Sequence, residues 1–344
     1  MRLDSAWIRR KLLDQARWWA GCPQGVVSGW WGRQGGWVVD VDGLRRLVGE
    51  QDGVVTAGQA LRLGFTRDQI RHLARSGKWT RVARGCFVPA PEAQVAAPRR
   101  ARIRAAVTSL GPGAVAVLDT AAELHRIGGL RATGAIHVSV PADRPTMQRR
   151  ADPNLVVHQL TLGPDDVCAV DGVQVTTAVR TVADVILRAA RYPAVCVIDS
   201  ALNRRLLTEH DLSLVQALIA GRRGAVVARR HLAEADGRAQ SPLETRARLR
   251  CVDGGVRPDV LQLEVRDDDG YLLGIGDLGW RGARVIAEAD GRGPHRTPMA
   301  LYEDRLRQNR LINAGWMVLR FTWTDTLRPD YIPQTVRRAL RRSR

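Results

Sequence analysis

The stretch LLGIGDLGWRGARVIAEAD, residues 272–290, decides the fold of the C-terminal third. Leu272–Trp280 reads as one strand, Arg281-Gly282 as a two-residue turn, and Ala283–Asp290 as the return strand. In that register Trp280 faces Ala283 and Asp277 faces Ile286. Side chains alternate between the two faces of a strand, so Asp277, Glu288 and Asp290 share one face. Glu244 precedes them on a helix opened by Ser241-Pro242. Carboxylates gathered on one face repel each other unless a cation sits between them. A divalent ion with oxygen ligands is the usual cation for such a cluster. The plainer reading makes Asp290-Gly291 a strand-ending turn and Asp277 a solvated strand residue.

The neighbouring motifs are Ser241-Pro242-Leu243-Glu244, Pro258, Gln262 and Asp277-Leu278-Gly279-Trp280, then Glu288-Ala289-Asp290-Gly291 and His295. Asp304-Arg305 and Gly315-Trp316-Met317-Val318-Leu319-Arg320-Phe321 complete the series. In this order the motifs resemble the very-short-patch-repair-like endonuclease domain, a branch of the PD-(D/E)xK nuclease superfamily, over residues 238–342. The resemblance implies a restriction-endonuclease-like mixed sheet flanked by helices, and Mg²⁺-dependent hydrolysis of phosphodiester bonds. It makes Glu244, Gln262, Asp277, Glu288, Asp290 and His295 the candidate catalytic residues, with Asp277 and Glu288 as Mg²⁺ ligands. Mg²⁺ keeps several waters, lowers the pKa of a bound one and polarises a phosphoryl oxygen. His295, titrating near neutrality, suits proton transfer. One position departs from the superfamily. The residue two after the acidic Glu288 is ordinarily Lys, but here it is Asp290, and no lysine follows Lys78. Gln262, His295 or an arginine such as Arg305 must then do that work, or it goes undone.

Composition sets the partner class. The chain has 344 residues and a net charge of +18, with 51 arginines and only two lysines, Lys11 and Lys78. Its length suits two or three domains. Such an excess points to a polyanion, nucleic acid before an anionic membrane. Cys22, Cys86, Cys168, Cys196 and Cys251 form no CxxC pair, which argues against a zinc ribbon or a disulfide framework and suits a reducing cytosol. No apolar run is long enough to span a bilayer, and the N-terminus lacks a signal peptide's apolar stretch. A cytoplasmic location is therefore expected. Residues 1–40 hold six of the ten tryptophans amid Gly and Arg, without a sustained period, and read as a poorly ordered extension. The alternative is a Trp-rich arm stacking on bases.

Residues 41–96 read as a winged helix-turn-helix. Gly43–Glu50 is helical, with Leu44 and Leu47 at helical spacing. Thr56-Ala57-Gly58-Gln59 and Thr66-Arg67-Asp68-Gln69 each match a capping box that opens a short helix. Gly64 and Gly77 end those helices. Trp79–Ala83, Arg84-Gly85 and Cys86–Pro89 give strand, turn and strand. Helix Arg67–Ser76 is the candidate recognition helix, burying Ile70, Leu73 and Ala74. It projects Arg67, Arg71, His72 and Arg75 toward phosphates or base edges. Arg81 and Arg84 lie on the wing, suited to backbone contacts. From Val41 to Leu110 there are thirteen basic and five acidic residues. A winged helix used only for protein contacts is the competing reading. Val54-Val55-Thr56, Ala60, Gly64, Ile70, Ser76-Gly77-Lys78-Trp79 and Arg84-Gly85-Cys86-Phe87-Val88 resemble the N-terminal domain of AbiEi-type antitoxins. Those proteins repress their own toxin–antitoxin operons, so the resemblance implies DNA binding and a cognate toxin or its operator as partner.

Residues 97–236 read as an α/β middle domain. Pro98–Ser109 is a basic amphipathic helix with Arg99, Arg100, Arg102 and Arg104, and Ala135–Val140 and Leu155–Leu160 are strands. Thr176, Thr177, Arg180, Thr181 and Asp184 resemble a signature of the same antitoxin-like family, and are read as capping and bracing a helix. Helices follow over Val179–Ala190, Pro193–Arg204, Leu212–Ile219 and Ala225–Ala235, with Asp236-Gly237-Arg238 as linker to the domain at 238–344. His125, His137, His158 and His231 lack metal-ligand spacing, and no Walker loop or nucleophile elbow occurs. The expected fold class is thus a multidomain α+β and α/β chain. The leading expectation is a DNA-binding protein with a Mg²⁺-dependent endonuclease-like domain, serving defence or repair. The alternative is an AbiEi-like antitoxin and transcriptional regulator whose nuclease-like domain is inactive.

Overall fold

The computed structural model describes residues 39–89, 97–143, 154–291 and 298–342. The chain is a mixed α/β multidomain protein with several sheets. Its described residues fall into two compact units: those up to Ala114 with Val138–Leu160, and Val115–His137 with Thr161–Arg344. The tryptophan-rich segment lies, but for its last two residues, outside the described residues.

The first unit opens with α1 (Val41–Glu50), β1 (Val55–Thr56), α2 (Ala57–Arg62) and α3 (Arg67–Arg75). The hairpin of β2 (Trp79–Ala83) and β3 (Cys86–Pro89) follows. Asp40 starts α1 by accepting from Gly43 N at 2.7 Å. Both capping boxes form: Thr56 Oγ1 accepts from Gln59 N at 3.1 Å, and Thr66 Oγ1 from Gln69 N at 3.1 Å. In each, the glutamine side chain returns to the threonine amide. The strands pair antiparallel in the order β1-β3-β2. Val48, Val55, Ala60, Ile70, Trp79 and Phe87 form the core beneath the three helices. Trp79 lies between Phe65 and Phe87, with ring centroids 5.3 and 5.9 Å away. This is a winged helix-turn-helix arrangement.

Helix α4 (Arg99–Leu110) departs from its sequence reading. It is not amphipathic, because Ala101 and Ile103 to Val107 are all buried. Ala101 and Ala105 pack against Val54, Ala83, Cys86 and Val88. Arg100 Nε and Arg104 Nε donate to the two oxygens of Asp52 at 2.7 and 2.8 Å. Two of the arginines expected to add to a basic face are therefore internal braces. β5 (Ile136–Ser139) and β6 (Leu155–His158) follow, with Val140 N donating to His158 O at 2.9 Å.

The second unit contains β4 (Val115–Ala116), α5 (Leu118–Leu124) and the hairpin β7 (Val167–Val170)–β8 (Val173–Thr176). Asp171 and Gly172 turn that hairpin with φ of 47° and 76°, the left-handed pair that Asp-Gly supplies. β8 also pairs parallel with β4. α6 (Ala178–Ile186), α7 (Arg191–Asn203), α8 (Asp211–Ile219) and α9 (Ala225–Ala233) enclose an aliphatic core including Val182, Ile186, Val197, Ile198 and Ile219. The antitoxin-like signature braces this region as expected. Thr177 caps α6, Thr176 Oγ1 meets Thr181 Oγ1 at 2.8 Å, and Arg180 bridges Asp166 and Asp184, each at 2.8 Å.

Asp236-Gly237-Arg238 is held in place, unlike a free linker. Asp199 Oδ1 accepts from Asp236 N at 2.7 Å, and Asn203 Nδ2 donates to Gly237 O at 3.2 Å. Asp199, on α7, also accepts from Thr245 Oγ1 and Arg248 Nη2, each at 2.8 Å, on α10 (Pro242–Asp253). A buried ion pair thus ties the middle region to the C-terminal one.

The C-terminal sheet runs β12-β11-β10-β9: β9 (Val260–Arg266), β10 (Leu272–Trp280), β11 (Val285–Ala289) and β12 (Met317–Phe321). β9, β10 and β11 are antiparallel neighbours, whereas β12 joins β11 in parallel after α11 (Pro298–Asn313). One face packs Leu261, Leu278, Val285, Ala287 and Phe321 with Ala247 and Cys251 of α10 and Ile332 and Val336 of α13 (Tyr331–Arg342). The other face packs Leu263, Val265, Leu273 and Ile286 with Leu311 of α11.

The hairpin turn corrects the two-residue expectation. Residues Arg281–Ala283 form a 3₁₀ turn, Arg284 takes φ 48°, and the return strand starts at Val285. Trp280 therefore pairs with Val285 instead of Ala283, and Gly279 with Ile286. The register shifts by two residues, an even number, so the shared face of Asp277 and Glu288 survives. Asp290 lies just past the end of β11, its N–H donating to Phe321 O at 2.8 Å.

Candidate DNA-binding surface and carboxylate cleft

On α3 the apolar stripe Ile70, Leu73 and Ala74 turns inward, and Arg67, Arg71, His72 and Arg75 stand exposed. Arg71 pairs with Asp68 one turn earlier at 3.0 Å, with both side chains largely in solvent. Such a pair is weak and yields readily to a phosphate. On the wing, Arg81 on β2 and Arg84 in the turn are also exposed. Helix and wing thus present their arginines to solvent.

The C-terminal cleft is built the other way. Ile275, Asp277, Glu288, Ala289, Asp290, Asp304, Arg307 and Arg320 line an open hollow of about 140 Å³. Asp304 and Arg307 come from α11, and Arg320 from β12, directly opposite Glu288 in the parallel pairing. Arg307 Nη1 donates to Glu288 Oε1 at 2.6 Å, and its Nη2 to Asp304 Oδ1 at 2.9 Å. Arg320 Nη2 donates to Asp304 Oδ2 at 2.9 Å. Its Nε lies 3.2 Å from Glu288 Oε2, an ion pair without a hydrogen bond's alignment. Two guanidinium groups and two carboxylates thus close a ring. Arginine side chains supply positive charge beside these acidic residues.

Asp277 stands beside this ring. Its Oδ2 accepts from Ala289 N at 2.7 Å, and Gln262 Nε2 approaches Oδ1 at 3.4 Å. Burial pushes the Asp277 carboxyl up from its ordinary range, and the neighbouring Glu288 adds to the rise. Glu244 is buried and bonded to Gln240 N at 2.8 Å and Gln262 Nε2 at 2.9 Å. Burial raises its pKa too, with Asp277 contributing. Gln262 links the two from a strand position with φ 53°, a conformation a glutamine rarely adopts. Burial alone would also raise Asp304, but hydrogen bonds from Arg307 and Arg320 hold it below the usual range.

Of the sequence candidates, Asp277, Glu288 and Asp290 line the cleft, whereas Glu244 and Gln262 form a bonded pair at its side. His295 lies outside the described residues. The arginines in the cleft are Arg307 and Arg320, not Arg305, which is exposed. Sequence reasoning does not reach Arg307 and Arg320 as site residues, although the strand pattern of Gly315–Phe321 offers a parallel partner for Glu288.

As arranged, the donors do not converge on an ion. Both Glu288 oxygens face arginines and one Asp277 oxygen is taken by a backbone amide. Among the described residues no group of three acidic, His or Cys side chains converges as a metal cage.

Residues 44–90 match the family described as "Transcriptional regulator, AbiEi antitoxin". Over 281 residues the chain is 30% identical to uncharacterized protein MT2308 of Mycobacterium tuberculosis (strain CDC 1551 / Oshkosh), covering 81% of this chain and 99% of that one. The same figures hold for uncharacterized protein Rv2248 of strain ATCC 25618 / H37Rv. The chain belongs to the family of these mycobacterial proteins. A crystal structure of the RV2827C protein from Mycobacterium tuberculosis aligns with a TM-score of 0.35 at 15% identity, over 58% of this chain and 87% of that one. The AbiEi match supports a DNA-binding regulator, and it spans α1 to the end of the wing, where the exposed arginines stand. Among the described residues no helix is long and apolar enough to cross a membrane.

Proposed function

We propose that this protein is a transcriptional regulator of the AbiEi antitoxin kind that docks α3 in the DNA major groove. Arg67, Arg71, His72 and Arg75 meet bases and phosphates, and Arg81 and Arg84 of the wing hold the adjacent backbone. The observation that carries this reading is the exposed basic face of a doubly capped helix inside the AbiEi-matching segment. On this reading the sheet at Val260–Phe321 is a nuclease-like scaffold whose acidic centre is closed by Arg307 and Arg320. The natural operator to test is the DNA upstream of the protein's own coding sequence. Footprinting should show a protected site there that disappears when Arg67, Arg71 and Arg75 are replaced by Ala. Equal protection by the triple variant would remove α3 as the reading element.

A second reading, a Mg²⁺-dependent endonuclease, is favoured by the charge of the cleft. Its lining sets four carboxylates, Asp277, Glu288, Asp290 and Asp304, against the two guanidinium groups of Arg307 and Arg320, a formal excess of negative charge. Asp277 and Glu288 would hold the ion, and it would supply an activated water and a polarised phosphoryl oxygen. Glu288 must first release an arginine before it can take an ion. Plasmid nicking with Mg²⁺ or Mn²⁺, abolished in Glu288→Gln with DNA binding retained, would establish this reading. Absence of nicking alongside operator binding leaves the regulator.

A further inference from the structure

A second arginine cluster lies on α7, α10 and the short α12 (Trp323–Thr326). The Arg246 guanidinium lies over two aromatic rings, 5.1 Å from the Tyr192 centroid and 4.8 Å from that of Trp323. One turn on, Arg250 lies 4.7 Å from the Tyr192 centroid. Their Nε atoms are anchored on Thr326: Arg246 donates to its Oγ1 at 3.1 Å and Arg250 to its carbonyl at 2.8 Å. The nearby acids serve other groups. Glu234 and Asp253 bind Arg191 at 2.6 and 2.7 Å, Tyr192 donates to Asp253, and Asp325 accepts from Thr322. Among the described residues neither Arg246 nor Arg250 forms an ion pair. Their guanidinium planes are thus pre-oriented with terminal N–H groups uncommitted, the form that suits a phosphate. Trp323 remains 48% exposed beside them. In a duplex the base faces are stacked away, so an exposed indole next to phosphate-binding arginines selects an unpaired base.

We propose that this cluster is a contact for single-stranded nucleic acid, with Arg246 and Arg250 on backbone phosphate and Trp323 against a base. It stands apart from the winged-helix reading. The test is fluorescence anisotropy of labelled oligo-dT and of a duplex, titrated with the full-length protein over a range of salt. Replacing Arg246 and Arg250 by Ala should lower the logarithmic salt slope for oligo-dT by roughly 0.7 per phosphate no longer neutralised. Trp323→Ala should weaken oligo-dT about tenfold with little change in slope. Duplex binding should hold in both, whereas α3 variants should lose duplex and keep oligo-dT. Arg250→Gln and Trp323→Phe, with melting curves, serve should the Ala variants fold poorly. Unchanged oligo-dT affinity and slope in folded variants at all three positions would overturn the proposal, as would equal losses on duplex.

Discussion

Arginines on α3 and arginines in the carboxylate cleft are the same side chain put to opposite uses. On α3, Arg67, Arg71 and Arg75 extend into solvent, and the acidic neighbour on the same helix, Asp68, is itself exposed. In the cleft, Arg307 and Arg320 are each shared between Glu288 and Asp304. The difference is made by the surroundings. A one-helix surface pair leaves the guanidinium hydrated and available. A sheet face and a helix converging on it enclose the guanidinium among carboxylates from separate elements. The count of 51 arginines therefore overstates the cations offered to a partner, because Arg100, Arg104, Arg180, Arg248, Arg307 and Arg320 all serve as internal braces.

The largest effect should come from orphaning an internal arginine. Asp199 is almost fully buried and accepts from Arg248, Thr245 and the Asp236 amide. Asp199→Ala leaves the Arg248 guanidinium buried without a counter-charge, a loss that costs about 3–5 kcal/mol. Urea denaturation of wild type and variant measures it. A cost below about 1 kcal/mol, the level of exposed pairs, would erase the distinction between braced and offered arginines. Alanine at the exposed Arg67, Arg71 and Arg75 should leave stability nearly unchanged. It should instead flatten the salt dependence of duplex binding by roughly 0.9 for each phosphate left unneutralised.

Breaking the ring itself sharpens the comparison. With Arg307 and Arg320 replaced by Gln, the cleft lining carries Asp277, Glu288, Asp290 and Asp304 with both guanidinium groups removed. Mn²⁺ affinity should rise by at least about fivefold, since an ion pair at this range contributes between about 1 and 4 kcal/mol. Titration calorimetry of both proteins reads the change. Equal Mn²⁺ affinity would mean that the arginines do not compete with an ion for Glu288.

Much of this contrast is legible in the sequence, and its limits have physical causes. The two capping boxes depend on residues three apart, so Thr56/Gln59 and Thr66/Gln69 can be read directly. The shared face of Asp277 and Glu288 tolerates an error in turn length because face parity changes only with odd shifts. The turn itself is hidden because Arg284 takes a left-handed φ without being glycine or asparagine. Asp304 and Arg307 are one helical turn apart and visible as a pair, but their meeting with Glu288 depends on how α11 lies over the sheet. The α4 arginines look like a basic face because nothing local reveals that Asp52, some fifty residues earlier, reaches Arg100 and Arg104.

The smallest effect tests the part of the cleft that arginine leaves uncompensated. Asp277 sits beside the ring instead of within it, and burial raises its pKa. A raised carboxylate means that the fold disfavours the ionised form. The penalty is fully present above the folded pKa and is relieved as pH falls through it. Asp277→Asn keeps an oxygen for the Ala289 amide and removes the charge, so it should stabilise the protein by at most about 1 kcal/mol at neutral pH. That gain should shrink as pH drops through the upper carboxylate range. Asp304 runs the opposite way: its pKa is depressed, so its contribution is lost as pH falls. Both proteins share that loss, and it cancels in their difference. Melting temperature against pH for the two proteins therefore isolates Asp277. A difference that stayed constant, or grew toward acid, would mean that Asp277 is satisfied by its neighbours and that the whole acidic face is compensated.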